Sequence, residues 1–232
     1  MGYLDTQSQF QQRGKVKMEW KPWLLWVAAT GVGYVAGSYL TELISLAGPA
    51  AAVSDLYSFW VRTILSVLAT GAVVGLAQGL VLWKYMGVPI IRPWVLATTV
   101  GSGLGIGAIL LSYQVNFPAL FSGLYCCWPL LVSIPGALLG ALVGYAQRRV
   151  LELYLDAPTR WVRSSVLAGI TSLLPLYIGV FWALLSLFTN QSLDIPSIWL
   201  ISLLAVWLPP FLYGMVTGRE FLRVVHLYRA QR

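Results

Sequence analysis

The chain reads as an all-α integral membrane protein. Its six transmembrane helices form three direct helical-hairpin repeats in an approximate pseudo-threefold arrangement, with both termini cytoplasmic. Three observations lead there: an apolar composition, six runs of membrane-spanning length, and a motif written twice. Of 232 residues, 58% are hydrophobic and only 10% charged, with a mean hydropathy of +0.75. That balance lies outside the range of soluble globular domains. A bilayer-crossing helix needs about 20 mostly apolar residues. Runs of that kind cover Trp23–Leu46, Tyr57–Trp83, Trp94–Val115, Leu124–Gln147, Val162–Phe188 and Ser197–Thr217. Little chain is left between them for a soluble domain.

The first run follows a polar stretch rich in Gln, Lys and Arg, and it exceeds the roughly 7–15 apolar residues of a signal peptide. It is therefore read as a retained helix behind a cytoplasmic tail. Placing the N-terminus in the cytoplasm puts fourteen of the fifteen Lys and Arg residues on the inner side, and leaves only Arg62 outside with Glu42, Asp55 and Asp194. This is a positive-inside pattern. It accounts for the formal net charge of +7 through topology and anionic lipid headgroups, so membrane lipids are expected partners and nucleic acid is not. Cys126 and Cys127 are adjacent and are read as small packing residues rather than as a disulfide or metal site.

The repeat sets the expected organisation. The stretch from Gly71 to Tyr85, GAVVGLAQGLVLWKY, is matched by that from Gly140 to Tyr154, GALVGYAQRRVLELY, at nine of fifteen positions. WVAATGVGYVAG from Trp26 matches WVLATTVGSGLG from Trp94 at seven of twelve. The unit is a hairpin of about 68 residues. A weaker third copy begins at Trp161-Val162 and ends in Gly214 to Tyr228, with Gly214 set on Gly71 and Phe221 on Gln78. The expected divisions are a tail at 1–22, hairpins at 23–86 and 87–158, and a third hairpin at 159–232 with an amphipathic cytoplasmic extension. Successive hairpins share one orientation in the membrane, as direct repeats about an axis along its normal.

Lipid tails are as apolar as leucine, so membrane helices associate through close packing and interhelical hydrogen bonds. Gly71 and Gly75, Gly101 and Gly105, and Gly140 and Gly144 are each four residues apart, and are expected to be packing positions. The third helix carries glycines on two faces, so it should have neighbours on both. Gln78 and Gln147 fall near the inner third of the bilayer. A buried amide there needs partners. An interhelical tie is the first reading, and an axial ligand to a pigment or other cofactor is the alternative. Pro135, Pro175, Pro209 and Pro210 each remove a backbone donor and free a carbonyl one turn earlier, one of them at Thr171. With Thr171 they mark a candidate cavity between the second and third hairpins.

Trp20, Trp23, Trp26, Trp83, Trp94 and Trp161 fall at predicted inner boundaries and read as an aromatic belt. The stretches from Arg148 to Asp156 and from Arg219 to Arg229 read as amphipathic extensions with their apolar sides on lipid.

Chemistry is sparse. His226 is the sole histidine, and the HExxH and GxSxG patterns are absent. Glu42 falls at the end of a predicted span and Asp55 and Asp194 fall in loops, so no carboxylate is expected deep in the bilayer. This argues against an enzyme and against an ion- or proton-coupled pump.

The WVxATxxG and GxxxGxxQxxVL patterns, carried by Trp26, Trp94, Gly71, Gly75, Gln78, Gly140, Gly144 and Gln147, resemble a diffuse group of uncharacterised polytopic membrane proteins common in cyanobacteria. That resemblance implies a bacterial inner or thylakoid membrane and a larger, for instance photosynthetic, complex as partner. The expected function is a non-catalytic accessory subunit or assembly factor. The alternatives are a small-solute or lipid-binding transport component, and a pigment- or quinone-binding protein.

Overall fold

The computed structural model describes residues 19–47, 56–114, 128–155, 158, 160–172 and 208–232. These residues are helical, with short turns and no strand among them. Five helices run over Trp20–Ala47 (α1), Leu56–Met86 (α2), Ile91–Gln114 (α3), Trp128–Leu151 (α4) and Leu208–Gln231 (α6). A sixth helical stretch, α5, covers 160–172. Cys126, Cys127, Pro175 and Asp194 lie outside the described residues.

Local chemistry sets the helix ends. Pro22 and Pro93 stand in the first turns of α1 and α3, where a missing N–H breaks no intrahelical bond. Gly87 ends α2 with φ +69°, and its N–H bonds the Trp83 carbonyl at 2.7 Å. A side chain at that position would strain the backbone, which is why the cap is glycine. Pro89 then holds a tight turn in which the Ile90 N–H reaches the Val88 carbonyl at 2.7 Å. Val88 and Ile90 are both buried, so this connection is part of the core.

From α1 to α5 each helix packs antiparallel on the next at glycine. In α1, Gly33 and Gly37 lie against Val74, Ala77 and Thr70 of α2; in α2, Gly71 and Gly75 lie against Ser102, Thr98 and Val95 of α3. Gly101 and Gly105 of α3 meet Val143 and Leu139 of α4, whereas Gly103 faces Leu68 of α2. The third helix thus has neighbours on two sides. Gly140 and Gly144 of α4 sit on Ser165 and Val162 of α5. The Ser164 hydroxyl donates to the Val216 carbonyl at 3.2 Å, joining α5 to α6. Gly214 and Gly218 of α6 return to Val27, Thr30 and Trp23 of α1. The described helices therefore close on themselves.

Two stretches, Trp20–Leu43 and Val61–Met86, are long and apolar enough to cross a membrane, with only 33% and 22% of their most apolar residues buried. The helix that forms the core of a soluble protein would be mostly covered. Here Val32, Leu43, Leu65, Leu96 and Leu104 are instead all more than half exposed.

Two sequence expectations need correction. Trp26, Trp94 and Trp161 are 0–1% exposed and belong to the core, so they are not part of a surface belt; Trp20 and Trp83 are the exposed pair. Much of the apolar surface of the extensions is also covered by protein, although Leu153 and Leu227 stay exposed. Val150, Leu151 and Leu155 pack in one cluster with Leu222, Val224, Val225 and Tyr228 around those tryptophans. Helical spacing identified these apolar faces correctly, but spacing does not say whether protein or lipid covers them.

Candidate functional site

The core holds a layer built from three copies of one short pattern. Each of α1, α3 and α5 places a tryptophan and, four residues on, a hydroxyl: Trp26 and Thr30, Trp94 and Thr98, Trp161 and Ser165. A spacing of four keeps both side chains on one helix face. The three indoles meet edge to face in all three pairs, with centroids 6.1, 5.8 and 5.5 Å apart and interplanar angles of 72°, 85° and 76°. Such contacts contribute about 0.5–1.5 kcal/mol per pair beyond area burial. Together they form a closed aromatic triangle.

Each indole N–H then reaches the preceding hairpin. Trp94 donates to Gln78 Oε1 at 3.3 Å, and Trp161 donates to Gln147 Oε1 at 3.0 Å. Trp26 donates to Thr217 Oγ1 at 2.9 Å, which links the first hairpin to the third. The amide nitrogens point back within their own hairpins. Gln78 Nε2 donates to Thr30 Oγ1 at 2.9 Å, and Gln147 Nε2 to Thr98 Oγ1 at 3.0 Å. A longer bond of 3.4 Å runs from Gln147 Nε2 to Gln78 Oε1. Thr30 and Thr98 complete the set by donating to the carbonyls of Trp26 and Trp94. Both glutamines are 1% exposed. In hydrocarbon each interhelical bond contributes about 0.6–2 kcal/mol, so the layer fixes the register of its helices.

The sequence alignment placed Phe221 where the first two copies have glutamine. The contacts shift that register by one helical turn. Gly75 meets Thr98 and Val95, Gly144 meets Ser165 and Val162, and Gly214 meets Thr30 and Val27. Gly214 is thus the counterpart of Gly75 and Gly144, and Thr217, three residues on, occupies the glutamine position. Phe221 takes the place of Leu82 and Leu151, all three being 0% exposed. There it stacks on Trp26 at 4.7 Å and 10°, and Tyr85 lies edge-on to it at 5.9 Å and 73°.

The third corner has less polar reach. The Thr217 hydroxyl donates to the Tyr213 carbonyl at 2.8 Å while accepting from Trp26, and it is too short to bridge to Ser165 as an amide does. Ser165 Oγ and Tyr213 OH are the buried side-chain atoms without a hydrogen-bond partner among the described residues. Tyr213 stands where the other hairpins have Val74 and Val143.

The remaining residues singled out from sequence are placed as follows. Gly71, Gly75, Gly101, Gly105, Gly140 and Gly144 are all at helix contacts. Pro135 lies inside α4, and Pro209 and Pro210 lie in the first turn of α6. The Thr171 hydroxyl donates to the carbonyls of Leu167 and Ala168 at 2.9 and 3.1 Å. Gly136, next to Pro135, lies against Gly169 of α5, two residues before Thr171, and Pro175 lies outside the described residues. The hydroxyls at Thr30, Thr98, Ser165 and Thr217 were missed as partners of the glutamines, although the constant spacing of four after each tryptophan was their signal.

Chemically the layer is neutral: indoles, amides and hydroxyls whose polar atoms mostly face one another. It can lock helices together, and its one titratable group among the described residues, the Tyr213 phenol, is of a kind that is neutral near pH 7. Comparison with protein-family models, with curated proteins and with solved structures returned no match.

Proposed function

We propose that this chain is a non-catalytic multipass membrane protein that serves as an accessory subunit or assembly factor of a larger membrane complex. In this reading all six helices cross a bacterial inner or thylakoid membrane, and both termini are cytoplasmic. The three hairpins form a pseudo-threefold bundle, and a photosynthetic complex is among the candidate partners. The observation that carries the reading is the buried layer. Gln78 and Gln147, the residues best suited to hold a ligand, direct their amides to Trp94, Trp161, Thr30 and Thr98. A bundle whose polar chemistry is used to hold itself closed is suited to present a fixed outer surface. The same contact made at Gly75, Gly144 and Gly214 supports the threefold plan. The apolar residues exposed around α1, α2 and α3 support lipid or a membrane partner as their cover, since soluble monomers rarely leave such surface open.

The test is purification from native membranes in gentle detergent, with mass spectrometry of co-eluting proteins and small molecules. A stoichiometric larger complex is the expected result. A solitary chain carrying one specific solute, pigment or quinone would replace this reading with the transport or cofactor-binding one.

A further inference from the structure

Two sets of arginines at the inner end of the bundle are treated differently by the fold. Arg148 and Arg149 lie in the last turn of α4, where a cation is favoured by the helix dipole. They also reach Glu152 at 2.7 and 3.2 Å. Arg160 and Arg163 instead open α5, at the end of a helix where positive charge is disfavoured. Among the described residues neither has an ion-pair partner.

Arg160 also borders a shallow cleft between α5 and α6. Arg223 lines it from α6, and the buried Trp161 and Val224 form its apolar floor. The one carboxylate there, Glu220, is 3.6 Å from Arg223, which leaves that guanidinium further donors for another acceptor. Leu167, 48% exposed, lies two turns along α5 from Arg160, on the same face.

We infer that this cleft binds the phosphate of an anionic membrane phospholipid, with Arg160 and Arg223 as its two guanidinium donors. Planar guanidinium forks match phosphate oxygens in a way that a lysine point charge does not. The Trp161 N–H is taken by the Pro158 carbonyl at 3.3 Å, but the positive end of the α5 dipole still favours the same charge. An anion there also removes the penalty of opening a helix with arginine, and the acyl chains continue along Leu167. The inference rests on the membrane reading above.

The experiment uses the full chain in detergent micelles, with phosphatidylglycerol or phosphatidylcholine titrated and retained lipid counted by native mass spectrometry. Phosphatidylglycerol should bind the wild type, and weaken about fivefold for each arginine lost in R160Q and R223Q, with R149Q unchanged. Thermal melts of the variants that match wild type keep a folding defect from imitating this result. Equal binding of the two lipids would overturn the inference, as would retention by the double variant or displacement by inorganic phosphate. Carbonate extraction tests the underlying reading separately. A chain released from membranes loses both proposals, whereas a chain retained with charge-indifferent lipid binding loses only this one.

Discussion

The Gln147 corner and the Thr217 corner meet the same geometric demand with different chemistry. At the first, one amide accepts from Trp161 and donates to Thr98, tying α5, α4 and α3 together. At the second, a hydroxyl accepts from Trp26 but is already committed to its own helix at Tyr213. The polar deficit left at Ser165 is offset by aromatic packing, since Phe221 stacks on Trp26 where the other corners carry leucine. A repeated scaffold thus tolerates the loss of an amide if apolar contact grows at the same place. The third hairpin accordingly keeps the glycines and the tryptophan, which set the distance between helices, and drops the glutamine.

The largest expected effect separates the corners by packing. A Cβ at Gly144 would come within 2.5 Å of Ser165 Cβ and 2.8 Å of its hydroxyl; at Gly214 the nearest approaches are 3.1 Å, to Thr30 Cβ and Val27 Cα. Gly144→Ala should therefore cost about 3 kcal/mol and Gly214→Ala about 1 kcal/mol, measured by unfolding in mixed micelles. Equal costs would mean that the two corners are equally pliable and would break the comparison.

The polar difference is next in size. Gln147→Leu leaves the Trp161 N–H buried without an acceptor and removes the donor to Thr98, a loss of about 2 kcal/mol. Thr217→Val strands only the Trp26 N–H, for about 1 kcal/mol. A tryptophan emission shift should accompany both variants, because each frees one indole of the triangle. If Thr217→Val proved the more damaging, Phe221 would not be the compensating group.

The helices and the glycine contacts were readable in the sequence, because each leaves a periodic trace. It also favoured the interhelical role of Gln78 and Gln147 over a ligand role, on the need of a buried amide for partners. It misplaced the third copy for a physical reason. Gly214 and Gly218 have the same four-residue spacing as Gly71 and Gly75, so sliding the alignment by one turn preserves the glycine face and moves Phe221 onto the glutamine position. Only contacts in space resolve the slip, and their partners are distant in sequence, with Trp26 and Thr217 191 residues apart. The buried tryptophans were misread because a residue near the end of an apolar run looks the same whether it faces lipid or a bundle axis.

A third prediction rebuilds the missing corner. Tyr213→Val with Thr217→Gln copies the Val143 and Gln147 pairing into the third hairpin. The new amide should accept from Trp26 and donate to Ser165, removing an unpartnered buried hydroxyl and raising stability by about 1 kcal/mol. Thr217→Gln alone should gain less, because Tyr213 still occupies the space beside Ser165. A double variant less stable than wild type would show that the tyrosine, rather than the lost amide, organises this corner.

The smallest effect concerns the surface beside the Gln147 corner, where α4 runs on into its turn. Burial pushes the Glu152 carboxyl up, but hydrogen bonds and charge from Arg148 and Arg149 outweigh it and hold the group below the ordinary carboxylate value of 4.5. A group whose folded-state value is lowered binds fewer protons than its unfolded counterpart. Its contribution is complete above pH 4.5 and is lost as the pH falls through the lowered folded value. Wild type should therefore lose slightly more stability than Glu152→Gln on acidification through that window, and the two should run parallel above it. The start of α5 offers no equivalent, since Arg160 and Arg163 lack a carboxylate partner among the described residues. Gln substitution at Arg160 should leave the acid branch of the stability curve in lipid-free micelles unchanged. If it moved that branch, a carboxylate would already hold the arginine, and the contrast between the two arginine pairs would disappear.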